Sequence, residues 1–138
     1  NHDQGTTSMI FGIGTDILKI ERVAAVLGRR GDRFAEKILG ADELEKYHRR
    51  KDKVAVRGLR FLATRFAAKE ALVKAVGDPR GLRWHEVEIV KDALGKPSIV
   101  TSGTTADFIK GAGIQSLHLS ISHDGGKAIA MVVAEGGA

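Results

Sequence analysis

The sequence has no cysteine. That excludes disulfide staples, thiolate metal sites and thiol catalysis, and it suits a cytoplasmic address. Aromatic residues make up only 5% of the chain, too few for the stacking platform on which single-stranded nucleic acid is held. No apolar run approaches the ~20 residues that a membrane-spanning helix needs. The longest obvious one, Ala128 to Ala134, has the length of a strand, so no membrane association is expected. Phosphate-cradling P-loops, the HExxH zinc signature and EF-hand calcium loops are missing. The five histidines have none of the spacings of a zinc site. Residues 1–8 are polar, with neither a basic start nor a hydrophobic stretch, and read as a remnant ahead of a native start at Met9 rather than as a signal peptide.

What is there is a chain of 138 residues, the size of one domain, which would span 9–138. A domain this long buries roughly two-thirds of its unfolded surface, enough for a core without staples. The formal net charge is +5, and it is unevenly placed. Between Arg29 and Arg65 twelve Lys and Arg stand against six Asp and Glu, so this one segment carries the whole excess. Such a field draws phosphates, nucleic acid or an acidic protein. A solvated helical surface gives the same count.

Met9 to Ile17 alternates as a strand does. Gly12 and Gly14 interrupt it, as happens where something approaches the backbone closely. Asp16 stands at its end, where it can cap the helix that Ile17, Ile20, Ala24 and Leu27 space out as far as Gly28. Residues 28–32 read as a basic loop, with Asp32 capping a short helix from Arg33 to Leu39. Asp42 with Glu45 fits a capping-box variant that opens a helix through Tyr47 to Arg50. From about Lys53 to Val76 runs a long helix of ~35 Å at 1.5 Å per residue, ended by Gly77. Trp84–Lys91 and Ser98–Thr101 form a hairpin, and Ser102 caps a helix from Thr104 to Lys110. Gln115–His123 alternates, Asp124-Gly125-Gly126 turns the chain, and Lys127–Glu135 returns as a strand. The expected fold class is α+β, with a small antiparallel sheet packed on a long central helix plus short helices.

On the long helix Glu70 and Lys74 lie one turn apart on one face. Leu59, Ala63, Phe66, Ala67 and Val73 lie beside them, and Ala68 and Leu72 opposite. A helix apolar almost all round is expected to be buried. A carboxylate in that wall needs a partner or a cation, whereas on a solvated face the same two residues make an ordinary ion pair. Periodicity permits both. Ser122-His123-Asp124 suggests a catalytic triad, but adjacent strand residues point to opposite faces. His123 either touches an anionic ligand or is a satisfied interior histidine. Gly12-Ile13-Gly14 lacks the third glycine of a dinucleotide fingerprint.

Three segments taken together narrow these choices. Gly12-Ile13-Gly14-Thr15-Asp16-Ile17, with Ile20 and Arg22 behind it, is the first. Arg65-Phe66-Ala67-Ala68-Lys69-Glu70-Ala71, continuing to Lys74-Ala75, is the second. Leu117-His118-Leu119-Ser120-Ile121-Ser122-His123, followed by Ala128-Ile129-Ala130, is the third. In this order they resemble the motifs of the holo-acyl-carrier-protein synthases, the short bacterial class of 4'-phosphopantetheinyl transferases. The resemblance covers Met9 to Glu135 and implies a 4'-phosphopantetheinyl transferase-like fold. It implies that a serine of apo-acyl carrier protein attacks the β-phosphorus of coenzyme A, takes the 4'-phosphopantetheine arm and releases adenosine 3',5'-bisphosphate, in support of fatty acid biosynthesis.

The resemblance further implies Mg²⁺ held by Asp16 and Glu70, which suits an ion that takes a few hard oxygens from protein and the rest from water and phosphates. Glu70 would also help deprotonate the serine, and Lys74 would stabilise the phosphoryl oxygens. Arg65 and His123 become contacts for coenzyme A phosphates. Arg22 and the basic segment 29–57 become the face that meets the acidic carrier protein. A homotrimer with sites between subunits is implied as well. After Gly77 the chain departs from the pattern. Asp78-Pro79-Arg80 stands where the family often has Gly-Thr-Gly, and Arg80 would there replace backbone phosphate contacts with a charge. Two rival readings remain. A basic nucleic-acid module finds no recognised motif to support it, and an inactive protein that keeps the fold is opposed by the presence of Asp16, Glu70 and Lys74.

Overall fold

The computed structural model describes residues 8–137. Apart from Ser8, the remnant expected at 1–8 lies outside them, as does Ala138. Strand β1 (Ser8–Lys19) leads into α1 (Ile20–Arg30), α2 (Arg33–Ile38), α3 (Ala41–Lys53) and α4 (Ala55–Val76). Two 3-10 turns, Pro79–Gly81 and Trp84–Glu86, precede the hairpin of β2 (Val87–Lys91) and β3 (Pro97–Thr101). Helix α5 (Gly103–Gly111) and the hairpin of β4 (Ile114–Asp124) and β5 (Lys127–Gly137) complete the chain. The main sheet is antiparallel in the order β1-β5-β4, and α4 lies across it.

The sheet and α4 come close because both surfaces are small. Ala128, Ala130, Val132 and Ala134 of β5 point inward and are buried, as are Ala63, Ala67, Ala68, Ala71 and Ala75 of α4. The two glycines of β1 take this further. A Cβ at Gly12 would fall on the carbonyl oxygen of Ala75, and one at Gly14 on that of Ala71. What approaches β1 so closely is therefore the backbone of α4. The helix has 22 residues, or about 33 Å, and Gly77 ends it in the left-handed conformation at φ 88°.

Several local expectations give way to tertiary partners. Strand β1 runs on to Lys19, so Asp16 sits within the strand opposite Ala130 and caps nothing. Helix α1 continues through Gly28 and ends at Gly31, which absorbs most of the basic loop expected there. The Asp32 carboxylate caps no helix. It accepts from Lys51 Nζ (2.7 Å) and from the hydroxyl of Tyr47 (3.0 Å). Helix α3 opens at Gly40, whose N–H donates to Glu43 Oε1 (3.1 Å), so Glu43 does what was expected of Asp42 and Glu45. Ser102 makes no side-chain cap bond. Glu86 takes its place, accepting from the N–H of Thr105 (2.9 Å) and from the hydroxyls of Thr104 (2.9 Å) and Thr105 (2.8 Å). Trp84–Glu86 is a 3-10 turn, and the strand starts at Val87.

Candidate functional site

Alternation along β1 puts Asp16 on the same face as Gly12 and Gly14, the face that meets α4. The glycines draw the helix in beside it, and the turn of α4 that passes there carries Glu70 and Lys74. Lys74 Nζ donates to Asp16 Oδ1 (3.1 Å) and to the carbonyl of Thr15 (2.9 Å). The ammonium thus bridges helix to strand, and the salt bridge it makes is with Asp16 rather than with Glu70 one turn away. Glu70 is half-buried, and its carboxyl pKa is raised. Desolvation is the main cause, the charge of Asp16 adds to it, and Lys74 opposes both. Two carboxylates therefore share one ammonium.

This donor set fits Mg²⁺. Both groups are hard oxygen ligands, and a divalent cation would relieve the desolvation and repulsion that raise the Glu70 pKa. Among the described residues no group of three or more His, Cys, Asp or Glu comes together. The protein alone thus offers a partial shell, which suits an ion that keeps waters and substrate phosphates.

A second constellation lies elsewhere on α4. Arg65 is buried, its Nη1 donates to Thr64 Oγ1 (3.1 Å), and its guanidinium lies 4.1 Å from the centroid of the Phe61 ring. Its Nε has no hydrogen-bond partner among the described residues. Burial pushes the Arg65 pKa down to about 10, the charge of Glu43 opposes that, and Arg50 adds to it. Arg65 lines a cavity of about 300 Å³ together with Arg50, Arg57, Arg60, Lys91 and His123. Among the described residues no carboxylate lines it. Lys91 is pushed down as well, by burial and then by Arg65 and Arg50. Unneutralised cations and an orphaned donor are what an anion site requires. Arg65 and Glu70 are five residues apart, or about 140° around the helix, so cavity and carboxylates face different ways.

The remaining expected residues fall outside both groups. Arg22 is exposed on α1. Nearby, Arg29, Arg30, Arg33 and Lys37 surround a groove floored by Val26 and Phe34. Arg80 is turned onto Asp78, with Nε and Nη2 donating to its two oxygens (2.9 and 2.8 Å). These bonds hold the Asp78 carboxyl down at about 2. Reading the sequence assigned Arg50 and Arg57, within the segment 29–57, to the carrier-protein face, counted Arg60 only as general charge and missed Lys91, whereas all four line this cavity. It also missed Lys69 and Glu43, a buried pair with Nζ and Oε1 2.6 Å apart. The signal for Lys69 was its charge inside an otherwise apolar helix wall.

The model of the 4'-phosphopantetheinyl transferase superfamily matches residues 12–132. The holo-[acyl-carrier-protein] synthase of Herminiimonas arsenicoxydans is 54% identical over 129 residues, 92% of this chain and 98% of that protein. The crystal structure of the holo-[acyl-carrier-protein] synthase from Neisseria meningitidis superposes with a TM-score of 0.82 at 37% identity, covering 91% of this chain and 98% of that one. The Bacillus anthracis synthase, crystallised in complex with CoA (3',5'-ADP), gives a TM-score of 0.75 at 37% identity, with 93% and 98% coverage. With the family model matched over most of the chain, a relative 54% identical over nearly its whole length and the fold shared with solved synthases, the chain belongs to the holo-acyl-carrier-protein synthases of the 4'-phosphopantetheinyl transferase superfamily.

Proposed function

We propose that this protein transfers the 4'-phosphopantetheine arm of coenzyme A to a serine of apo-acyl carrier protein, in support of fatty acid biosynthesis. The observation that carries the reading is the meeting of Asp16, Glu70 and Lys74 where β1 crosses α4. The cavity of Arg65 and His123 takes the phosphates of the nucleotide end, and the orphaned Nε of Arg65 finds an acceptor there. Asp16 and Glu70 would hold Mg²⁺, and the chemistry supplied there would be polarisation of the pyrophosphate and charge to offset that on the leaving group.

Glu70 accepts the proton of the serine hydroxyl, directly or through a water. The serine oxygen bonds to the β-phosphorus, the bond to the α-phosphate oxygen breaks, and adenosine 3',5'-bisphosphate leaves, held by the arginines. Lys74 has three N–H donors, of which two are taken by Asp16 and Thr15. The third is free for a phosphoryl oxygen whose charge grows in the transition state.

The basic groove on α1 and α2, with Arg22 beside it, is the face for the acidic carrier protein. The reaction is cytoplasmic, where coenzyme A and carrier protein meet, and no helix among the described residues is long and apolar enough to cross a membrane. Copies of the chain assemble as a homotrimer. Support comes from the outer face of the main sheet, where Phe11, Ile13, Ile17, Ile129 and Met131 are exposed together. Assembly also answers why cavity and carboxylates face different ways, because one copy's cavity can serve another's carboxylates.

The test is incubation with apo-carrier protein, coenzyme A and Mg²⁺. The carrier should gain the mass of one phosphopantetheine, and chelation of the metal should stop the gain. Glu70→Gln should lower the rate by roughly 10²-fold or more. An unchanged carrier mass overturns the reading. Transfer within a few-fold of wild type in both Asp16→Ala and Glu70→Gln overturns the metal assignment.

A further inference from the structure

Lys69 stands where α4 is most enclosed, at 1% exposure. Its three N–H donors have three acceptors, the carbonyl of Ile38 (2.7 Å), Glu43 Oε1 (2.6 Å) and the carbonyl of Trp84 (3.1 Å). These belong to the end of α2, the first turn of α3 and the 3-10 turn before β2. Glu43, also 1% exposed, completes the knot. Its Oε1 accepts from the N–H of Gly40 (3.1 Å) and its Oε2 from that of Ile89 in β2 (2.7 Å). One ion pair thus ties four segments to the residue that precedes Glu70.

Stability alone does not call for such a pair. Removing two charges from water costs about what their attraction returns, and apolar side chains of similar volume commonly do as well or better. What a fully bonded pair adds is a fixed geometry. On the side of β1, helix α4 rests on Gly12 and Gly14, which set how closely it approaches. The side-chain grip on that side is the bond of Lys74, a solvent-exposed side chain, to Asp16 and the Thr15 carbonyl. Lys69 adds a buried one, since it reaches into three other elements at once. A carboxylate about 6 Å from the helix axis moves by about 1 Å when the helix turns by about 10°. Misplacement of about 1 Å can cost on the order of 10²-fold in rate.

We propose that Lys69, clamped by Glu43, is a positioning residue that sets the rotation of α4 and so holds Glu70 against Asp16. The inference rests on the transferase reading, in which Glu70 holds the metal and takes the serine proton.

The main test is the double variant Lys69→Met with Glu43→Gln, which removes both buried charges and keeps a polar group for Gly40 or Ile89. It is assayed well below its own melting midpoint, where the protein is folded. The expected result is a kcat lower by 10- to 100-fold, with the KM for coenzyme A within about threefold of wild type. Calorimetry supplies a readout apart from turnover. Mg²⁺ affinity in the presence of coenzyme A should fall at least fivefold, while coenzyme A affinity without metal stays put. If the double variant does not fold, Glu43→Asp carries the same test, because it keeps the charge and draws Lys69 back by one methylene. Wild-type kcat and Mg²⁺ affinity in a folded variant overturn the proposal, as does a loss that lies wholly in the KM for coenzyme A. If wild-type protein binds coenzyme A and Mg²⁺ yet transfers nothing, the transferase reading fails. The Mg²⁺ comparison then still decides whether Lys69 positions Glu70.

Discussion

At the scale of residues, environment decides what each charge does. Asp32 and Tyr47 show it. The Tyr47 side chain is buried against the Asp32 carboxylate, and its pKa is pushed up to about 12, chiefly by burial and then by that hydrogen bond. Tyr47 is the only tyrosine in the chain, so tyrosinate absorbance near 295 nm reads it alone. Its midpoint should lie near 12 rather than at the ordinary 10. Because the folded value is the higher one, the contribution of this phenol to stability is complete below pH 10 and is lost as the pH rises towards 12. Tyr47→Phe should remove that part of the alkaline loss, and an absorbance midpoint near 10 in folded protein would refute the assignment. The same residue shows why capping was misread. Asp32 precedes a helix and has the composition of a cap, but Lys51, far along the chain, offers it a stronger, charged partner. Lys69 escaped notice for the same reason, since Glu43 lies 26 residues away. Asp16, Glu70 and Lys74 stood out in the sequence through the motif resemblance alone, since periodicity equally permitted a surface ion pair and position made Asp16 a cap.

At the scale of elements, the ends of helices are where local reading and structure part most. Helix α5 begins after Ser102, a favoured cap residue, yet Glu86 supplies the cap from another element. Three donors hold the Glu86 carboxyl at about 2, the Thr105 hydroxyl and N–H ahead of Thr104. Glu86→Ala should therefore lower the melting midpoint clearly, and Ser102→Ala should leave it almost unchanged. The pH dependence has a sign as well. The folded value is depressed, so the stabilisation from Glu86 is present above about pH 4.5 and is lost as the pH falls towards 2. A Glu86→Gln variant should show a shallower acid limb in thermal scans. Equal melting midpoints for the Ala variants at 86 and 102 would place the cap elsewhere. Elements themselves were readable, since α4, the two hairpins and the strand at the start of the chain lie close to where pattern put them. The glycines of β1 were readable as a close approach, but the approaching partner, the backbone of α4, was not, because nothing local in residues 12–14 points to residues 71 and 75.

At the scale of the whole molecule, the outer face of the main sheet sets the expectation. Ile13 and Ile17 of β1 are 52% and 68% exposed, and their register partners on β5 are Val133 and Ile129. Exposed apolar neighbours of this kind mark an interaction surface. On the proposed homotrimer, Ile13→Glu should shift the sedimentation coefficient from that of a trimer to that of a monomer and lower activity with it. A wild-type protein that sediments as a monomer at micromolar concentration refutes the assembly. Of the basic cavity, Arg65 and His123 were expected from the motifs, whereas the part played by Arg57 and Lys91 was not visible, because the lining comes from three elements that meet only on folding.

That Arg65 and Glu70 look out from opposite flanks of one helix has a consequence for mixtures. Arg65→Ala spoils only the anion cavity, and Glu70→Gln spoils only the carboxylates. If every site borrows each from a different copy, two dead preparations can mend one another. Equal amounts of the two, dissociated and reassembled together, should draw both intact halves at about a quarter of the sites. Activity would then appear from a blend of proteins that have almost none apart.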